Sequence, residues 1–282
     1  MRTLRSELDL WKIALADSYE DREIQQLYRL SLEDLFGYSS SVLLTHGHET
    51  LTPDAQAELE RVLERLKAGE PYQYIVGFAF FDELKMGVSP AVLIPRPETE
   101  ELVHWIDESL RAKRSAKIID WCTGSGCIAL ALKNRSKDFD VMGVDYSEQA
   151  LTQAKLNAKA LNLEVSWFFD DALATSISGD FDVVVSNPPY IPVHEKAEMA
   201  SHVTEYEPDM ALFVPDHDAL LFYRKLGEWS QQNLKAGGQL FFELHEKYAQ
   251  ETKVLLEDLG FVDIEIRRDL QGKERMLRCV KL

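Results

Sequence analysis

The chain has 282 residues, of which 45% are hydrophobic and 28% are charged, and 31 basic against 48 acidic residues give a formal net charge of −17. This length suits one large domain or two, and the composition excludes a wholly disordered chain, a fibrous repeat and a coiled coil. The acidity argues against direct binding to nucleic acids and fits a basic protein partner better. No stretch approaches the roughly 20 apolar residues of a membrane span, and acids stand near the N-terminus where a signal peptide is apolar. We therefore expect a cytoplasmic protein without a membrane partner.

Residues 1–70 are predicted to form a small helical domain. Apolar side chains recur there at the spacing of one helix face, beginning with Leu8, Trp11 and Leu15. The pair His46-Gly47-His48 is interpreted as a loop, because two histidines without a third ligand rarely hold a metal ion. We therefore expect no metal site.

From residue 71 the pattern changes to β-forming residues, and we predict a β-hairpin linker over residues 71–98. These residues include Tyr72, Tyr74, Val76, Phe78 and Phe80. Near the end of the linker, Arg96 stands between two prolines that fix an extended backbone. We interpret Arg96 as a structural residue that shapes the pocket or pairs with Glu98 or Glu100.

Residues 99–282 alternate strand and helix patterns, which predicts an α/β domain with a doubly wound, mostly parallel sheet. The predicted strands of its parallel part are residues 117–121, 140–145, 164–169, 181–186 and 238–243. Two further strands, around 262–267 and 275–281, are predicted to form an antiparallel edge hairpin at the C-terminus.

The first chemical motif is a glycine-rich turn between the first of these strands and the next helix. It comprises Cys122, Thr123, Gly124, Ser125 and Gly126. Such a turn lets a ligand approach the backbone and the helix N-terminus closely, and Asp145, at the end of the next strand, can accept hydrogen bonds from both hydroxyls of a ribose. The pattern predicts an adenosine-containing cofactor. Because it also matches the dinucleotide fingerprint, NAD and S-adenosylmethionine both remain open on these residues alone.

The second motif is Asn187-Pro188-Pro189-Tyr190, at the carboxyl end of the strand 181–186. If this strand pairs with strand 117–121, the motif faces the glycine-rich turn across the crevice where the strand order reverses. The Asn187 amide offers an acceptor and two donors, the Pro188 carbonyl can point at a ligand, and Tyr190 supplies a flat wall. These groups suit a planar carboxamide or aromatic amine whose nitrogen faces an electrophilic methyl group.

Over nearly its whole length the chain resembles the peptide chain release factor glutamine methyltransferases, the PrmC/HemK family. The resemblance is carried by Pro71-Tyr72-Gln73-Tyr74-Ile75-Val76-Gly77, Leu93-Ile94-Pro95-Arg96-Pro97-Glu98-Thr99-Glu100, Thr123-Gly124-Ser125-Gly126-Cys127-Ile128-Ala129-Leu130, Ser186-Asn187-Pro188-Pro189-Tyr190-Ile191 and Tyr206-Glu207-Pro208. It implies a Rossmann-like methyltransferase fold and S-adenosylmethionine as cofactor. The implied substrate is the glutamine of the Gly-Gly-Gln motif in class-one release factors, which would be methylated on N5.

The resemblance also implies roles for the two motifs. The turn 122–126 would hold the methionine part of the cofactor, Asp145 its ribose, and Asp171 with Ala172 its adenine, with a helix N-cap as the other interpretation of Asp171. Asn187, which also borders the cofactor, and the Pro188 carbonyl would accept the two N–H bonds of the substrate amide. Tyr190 would pack against the amide plane, Pro189 would complete the substrate contact, and the helical domain would grip the release factor. We expect a monomer.

The sequence departs from the family pattern in three places. Cys122 replaces the usual glycine, so we expect cofactor binding to survive provided that this residue needs no positive φ. The sequence Glu243-Leu244-His245 stands where Glu-Ile-Gly is usual, and we expect it to lie away from the chemistry. Ala172-Leu173 replaces an aromatic pair, which predicts a differently lined adenine pocket.

Three alternatives compete with this interpretation. An adenine-N6 methyltransferase acting on DNA or RNA uses a similar motif to hold a flipped base, but the net charge of −17 opposes it, as do the mere 92 residues that follow Tyr190. A non-enzymatic binder would not need the intact residues 187–190. A nicotinamide oxidoreductase would leave the double proline unexplained.

Overall fold

A computed structural model describes residues 2–39 and 41–282 of the chain. The chain divides into two compact units. The first comprises the described residues up to Gly77 together with Ser201–Tyr206, and the second comprises Phe78–Ala200 and Glu207–Leu282. Within the described ranges, no helix is both long enough and apolar enough to cross a membrane.

The first unit is helical, as predicted. Its helices are α1 (Leu4–Leu15), α2 (Asp21–Phe36), α3 (Val42–Thr45), α4 (Pro53–Lys67) and α5 (Tyr72–Val76), and the separate segment Ser201–Tyr206 adds one more turn of helix. Helix α4 begins after Thr52, whose hydroxyl accepts a hydrogen bond from the Ala55 N–H at 3.2 Å and so caps the helix. The core is built around Trp11 and Tyr28, which are fully buried with ring centroids 5.1 Å apart.

The prediction of β structure for residues 72–76 was wrong, because this segment forms helix α5 and ends at Gly77, whose φ is +79°. Tyr72 and Ile75 lie one helical turn apart and are buried in the core of the first unit. The Tyr72 hydroxyl also donates a 2.8 Å hydrogen bond to Asp34. Aromatic and β-branched residues favour strands only where a sheet offers them neighbours, and here a helical core does so instead. The hairpin is confined to β1 (Phe78–Phe81) and β2 (Leu84–Gly87).

The second unit contains a seven-stranded sheet. Its strands are β3 (Lys117–Trp121), β4 (Asp140–Asp145), β5 (Ser166–Phe169), β6 (Phe181–Ser186), β9 (Leu234–Glu243), β10 (Phe261–Arg268) and β11 (Glu274–Lys281), and the helices between and around them are α6 (Pro97–Leu110), α7 (Cys127–Arg135), α8 (Glu148–Leu161), α11 (Leu221–Asn233) and α12 (Ala249–Asp258). Shorter elements of this unit are β7 (Ile191–Pro192), β8 (Phe213–Val214), α10 (Asp209–Leu212) and two 3-10 helices (Val193–Glu198 and Glu246–Tyr248), while α9 (Ser201–Tyr206) belongs to the first unit.

The strand order is β10-β11-β9-β6-β3-β4-β5. Strand β11 runs antiparallel to both of its neighbours, β10 and β9, and the remaining pairs are parallel. This confirms the predicted α/β class, the doubly wound parallel sheet and the antiparallel C-terminal edge. Strand β3 pairs with β4 on one side and with β6 on the other, so the strand order reverses at β3. Trp121, the last residue of β3, lies opposite Ser186, the last residue of β6. The glycine-rich turn and the loop that begins at Asn187 therefore leave the sheet side by side, where ligands bind in such folds.

Candidate active site

A cavity of about 360 Å³ lies at the carboxyl ends of β3, β4 and β6, which is a usual size for a small-molecule site. Most of the residues expected to contact cofactor or substrate line it, namely Cys122, Thr123, Gly124, Ser125, Asp145, Asp171, Ala172, Asn187 and Pro189. Gly126, Pro188 and Tyr190, also expected at the site, do not line it. Arg96 and Thr99 do, although neither was predicted to bind cofactor or substrate.

The two glycines of the turn have different tasks. Both have a positive φ, +56° at Gly124 and +81° at Gly126, which glycine adopts without strain. A Cβ atom on Gly126 would lie 2.7 Å from the Trp167 ring and 3.1 Å from the Ala154 Cβ, whereas one on Gly124 would meet no atom within 4 Å. Gly126 therefore allows the helix to pack closely on the sheet, and Gly124 leaves an open backbone surface beside the cavity.

Cys122 adopts the left-handed conformation, with φ at +58°. We expected cofactor binding to survive with cysteine at this position provided that the residue needs no positive φ. The structure does not meet that condition. A side chain in this region costs roughly 1–2 kcal/mol relative to the right-handed conformation. Burial also raises the pKa of the Cys122 thiol, so the side chain presents a neutral thiol to the cavity.

Asp145 is held in place by two backbone groups of the loops around it. One carboxylate oxygen accepts a hydrogen bond from the Gly124 N–H and the other from the Ser147 N–H, both at 2.8 Å. Burial raises the pKa of this carboxyl, and the N–H donors oppose that shift because they favour the charged form. Since a carboxylate has about four acceptor positions, each oxygen can accept one further bond. This geometry suits the two hydroxyls of a ribose.

Asp171 belongs to a tight turn and caps no helix. Its Oδ1 atom accepts a hydrogen bond from the Leu173 N–H at 2.8 Å, and its carbonyl accepts one from the Ala174 N–H at 3.0 Å. The Oδ2 atom has no hydrogen-bond partner within residues 2–39 and 41–282. An acceptor therefore remains at the cavity wall for the amino group of an adenine. Ala172 and Leu173 line the wall beside it, in place of an aromatic pair.

Asn187 is joined to two residues that come from distant parts of the chain. Its Nδ2 atom donates to the Thr99 hydroxyl at 3.3 Å, and that hydroxyl donates to the Glu243 carboxylate at 2.6 Å. The other oxygen of Glu243 accepts a hydrogen bond from the Tyr190 hydroxyl at 3.2 Å. The expectation that the segment 243–245 lies away from the chemistry was therefore wrong. Strand β9 pairs with β6, which places Glu243 next to the end of the strand that carries Asn187.

The remainder of the loop packs into the protein. Tyr190 contacts the hydrophobic cluster that includes Trp121 and Phe242, and the ring of His245 meets it edge-on at 5.9 Å. Burial beside Glu243 raises the pKa of the Tyr190 hydroxyl, which therefore stays protonated at neutral pH and acts as a donor. Pro188 is buried, and its carbonyl oxygen has no hydrogen-bond partner in the described parts of the chain.

Arg96 pairs with Glu207 and lines the cavity. Of the two alternatives that we gave for this residue, it therefore shapes the pocket and does not pair with Glu98 or Glu100. A guanidinium nitrogen of Arg96 lies 2.6 Å from one oxygen of Glu207, and the other oxygen accepts a hydrogen bond from the Ile94 N–H at 3.3 Å. The Glu207 side chain is almost completely buried, with 1% of its surface exposed. This pair fixes the extended segment before α6 along one side of the cavity.

The groups at the cavity fit S-adenosylmethionine. Gly124 offers an open backbone, Asp145 retains two acceptor positions, and Asp171 keeps a free carboxylate oxygen. In contrast, no cluster of three or more histidine, cysteine or acidic side chains suited to a metal ion occurs among the residues that the structure describes.

Two family models match the chain. Residues 99–206 match the methyltransferase small domain, and residues 8–77 match the PrmC N-terminal domain. Among solved structures, a methyltransferase from Pyrococcus furiosus has a TM-score of 0.53 and 18% identity, covering 82% of this chain and 99% of its own. A 16S rRNA N2 G1207 methyltransferase from T. thermophilus, solved in complex with AdoMet and guanosine, has the same TM-score and identity over 73% of this chain and 50% of its own. These two likenesses show the fold.

Similar proteins of known name span almost the whole chain. A release factor glutamine methyltransferase from Flavobacterium psychrophilum is 39% identical over 94% of this chain and 94% of its own. A protein of the same name from Bacteroides thetaiotaomicron is 39% identical over 94% of this chain and 95% of its own. The relatives do not favour the alternative of an adenine-N6 methyltransferase. The chain is an enzyme that uses S-adenosylmethionine, and it belongs to the release factor glutamine methyltransferase family.

Proposed function

We propose that the chain transfers a methyl group from S-adenosylmethionine to the side-chain amide nitrogen, N5, of the glutamine in the Gly-Gly-Gln motif of class-one peptide chain release factors. The named relatives support this substrate. The structural observation that carries the proposal is the pair of acceptors on one loop, the Asn187 Oδ1 atom and the Pro188 carbonyl oxygen. Although Pro188 itself does not line the cavity, its two neighbours Asn187 and Pro189 do, so its carbonyl group lies on the loop that borders the cavity. Neither oxygen has a partner in the described ranges, and a primary amide has two N–H bonds to give them.

S-adenosylmethionine, when bound, supplies an electrophilic methyl group on a sulfonium. Asp145 would accept the two ribose hydroxyls, because Gly124 and Ser147 have already oriented its carboxylate. Asp171 and Ala172 would border the adenine. The turn 122–126 would border the methionine part, where the open side of Gly124 permits close approach.

The substrate amide is a poor nucleophile because its nitrogen lone pair is delocalised into the carbonyl group. Hydrogen bonds from its two N–H groups to Asn187 and Pro188 fix the nitrogen in one orientation and stabilise the positive charge that grows there during attack. Holding reactants in such a geometry supplies about 7–11 kcal/mol in well-oriented intramolecular reactions. Pro189 would contact the substrate at the cavity wall. Tyr190 would act through its bond to Glu243, which keeps the loop in this conformation.

Proton removal needs no strong base at this site. In the described chain, no carboxylate or imidazole hydrogen-bonds to the Asn187 Oδ1 atom, and Tyr190 acts as a donor to Glu243. The amide nitrogen becomes strongly acidic once it has gained the methyl group. The proton therefore leaves to solvent water after methyl transfer, and the neutral N-methyl amide remains.

The helical residues 1–70 would contact the release factor, a role supported by the match of residues 8–77 to the PrmC N-terminal domain. The net charge of −17 favours a basic protein surface over nucleic acid as the partner. The enzyme would act as a monomer in the cytoplasm, where release factors act on ribosomes.

A labelled-methyl transfer assay tests the proposal. Purified enzyme and S-adenosylmethionine are offered a release factor, the same factor with the Gly-Gly-Gln glutamine changed to alanine, and adenine-containing DNA. Label is expected in the intact factor alone, and Asn187→Ala should abolish it while S-adenosylmethionine still binds. Label in the DNA, or in the factor that lacks the glutamine, would contradict the proposal.

A further inference from the structure

An asparagine amide has a donor end and an acceptor end of nearly the same shape. The proposed chemistry uses Asn187 as an acceptor, so the side chain must present Oδ1, not Nδ2, to the substrate. Rotation of the amide by half a turn would place two N–H groups against the N–H groups of the substrate. The correct end must therefore be set by something other than the substrate.

Thr99 and Glu243 set it. Burial raises the pKa of the Glu243 carboxyl, but the Thr99 and Tyr190 hydroxyls and the charge of Arg275 all favour its ionised form. The Thr99 hydroxyl has a single proton, and it donates this proton to the ionised carboxylate at 2.6 Å. The Thr99 oxygen can then only accept a hydrogen bond, so the Asn187 group that lies 3.3 Å from it must be the Nδ2 donor. Oδ1 is thereby left as the free end of the amide.

Both residues are positioned firmly. Thr99 lies in the first turn of α6 and is 2% exposed, and Glu243 ends β9, where it pairs with Met276 of β11 and is also 2% exposed. The second carboxylate oxygen of Glu243 holds Tyr190, so one buried carboxylate supports both ends of the loop 187–190. Groups carried on helices and strands hold a site more accurately than groups on loops.

We propose that Thr99 and Glu243 are positioning residues that fix the Asn187 amide with its oxygen toward the substrate. The inference rests on the proposed function for its kinetic consequence, but the orientation of the amide is a property of the chain itself. Neither residue touches the substrate in this scheme. Their contribution is made through Asn187 and Tyr190.

The test compares Thr99→Val, which keeps the shape but removes the hydroxyl, with Thr99→Ser, which keeps the hydroxyl. A matched control is Thr152→Val on the exposed face of α8, where the hydroxyl bonds only to its own helix at the Glu148 carbonyl. The first readout is kcat for transfer to the release factor. The second is the side-chain NH2 signal of Asn187 in a ¹⁵N-labelled protein, assigned with Asn187→Ala.

We expect Thr99→Val to lower kcat about 10–100-fold, the usual cost of a small misplacement at a reacting centre. S-adenosylmethionine affinity should be unchanged, and the hydrogen-bonded shift of the Asn187 NH2 signal should be lost. Thr99→Ser should restore both kcat and the shift, and Thr152→Val should change neither. These outcomes would support the inference, because a role that depended only on packing of the Thr99 methyl group would be kept by valine and lost with serine, and a loss of stability alone would not move the Asn187 signal.

The inference is overturned if Thr99→Val leaves kcat and the Asn187 signal unchanged, or if Thr99→Ser is as impaired as the valine variant. The two proposals fail in different ways. If the wild-type enzyme leaves the release factor unlabelled while the Asn187 signal still responds to valine and recovers with serine, the assigned substrate is wrong and the orienting role of Thr99 is supported.

Discussion

The glycine-rich turn contains a matched pair of positions at which the cost of one methyl group can be worked out. Gly124 and Gly126 both have a positive φ, +56° and +81°, so alanine at either position carries roughly 1–2 kcal/mol of backbone strain. Only at Gly126 would the new Cβ collide, at 2.7 Å from the Trp167 ring and 3.1 Å from the Ala154 Cβ. Overpacking of this kind adds about 1–3 kcal/mol. We therefore expect Gly126→Ala to lower the free energy of unfolding by about 2–5 kcal/mol and Gly124→Ala by about 1–2 kcal/mol.

Urea unfolding followed by circular dichroism measures both free energies of unfolding. Titration with S-adenosylmethionine measures the cofactor affinity of each variant. Because Gly124 faces open space beside the cavity, its alanine variant should be the more stable of the two and yet bind the cofactor more weakly than wild type. Equal losses of stability in the two variants would refute the packing argument for Gly126. Unchanged cofactor affinity in Gly124→Ala would refute the role of this glycine in close approach.

Three further predictions concern other parts of the second unit. Burial raises the pKa of Asp120 to about 7, so the folded state holds a proton that the unfolded state releases near pH 4. The free energy of unfolding should therefore fall by up to about 4 kcal/mol between pH 4 and 7, and urea titrations of Asp120→Asn should lack this fall. Arg96→Met should destabilise the fold more than Glu207→Gln in the same assay, because only the former leaves a buried carboxylate unpaired, at about 3–5 kcal/mol. Cys122→Val should melt at a lower temperature than Cys122→Ala, since a β-branched residue tolerates a positive φ poorly.

Local patterns were sufficient to predict much of the fold. The alternation of strands and helices between 117 and 186 places β3, β4 and β6 correctly. These signals lie within a few residues of the structure that they specify. Residues 72–76 were misassigned because the same aromatic residues serve a strand or a buried helix, and only the tertiary core of the first unit decides between the two.

The difference between local sequence signals and long-range contacts also explains which residues of the site could be predicted. The glycine-rich turn and Asp145 were found because the turn follows one strand and the acid ends the next, a spacing that a fold class fixes. Glu207 and Glu243 were missed as partners, since they lie 111 and 144 residues from Arg96 and Thr99 in the sequence. The only partners predicted for Arg96 were its sequence neighbours Glu98 and Glu100. A signal for Glu243 did exist, because an acid ends the strand next to the one that carries Asn187.

The segment 93–100 is among the most specific motifs in the sequence, and the two distant carboxylates explain why. Glu207 binds both the Ile94 N–H and Arg96, and Glu243 binds Thr99, so each end of the segment is anchored to a buried acid. The anchors serve different purposes. The Glu207 anchor neutralises a buried charge and shapes the cavity wall. The Glu243 anchor continues through Thr99 to the Asn187 amide, which contacts the substrate in the mechanism that we propose. Substitution at Arg96 should therefore be detected mainly as lost stability, and substitution at Thr99 as a lower kcat together with a smaller loss of stability, of about 1–3 kcal/mol, from the Glu243 hydrogen bond that it removes.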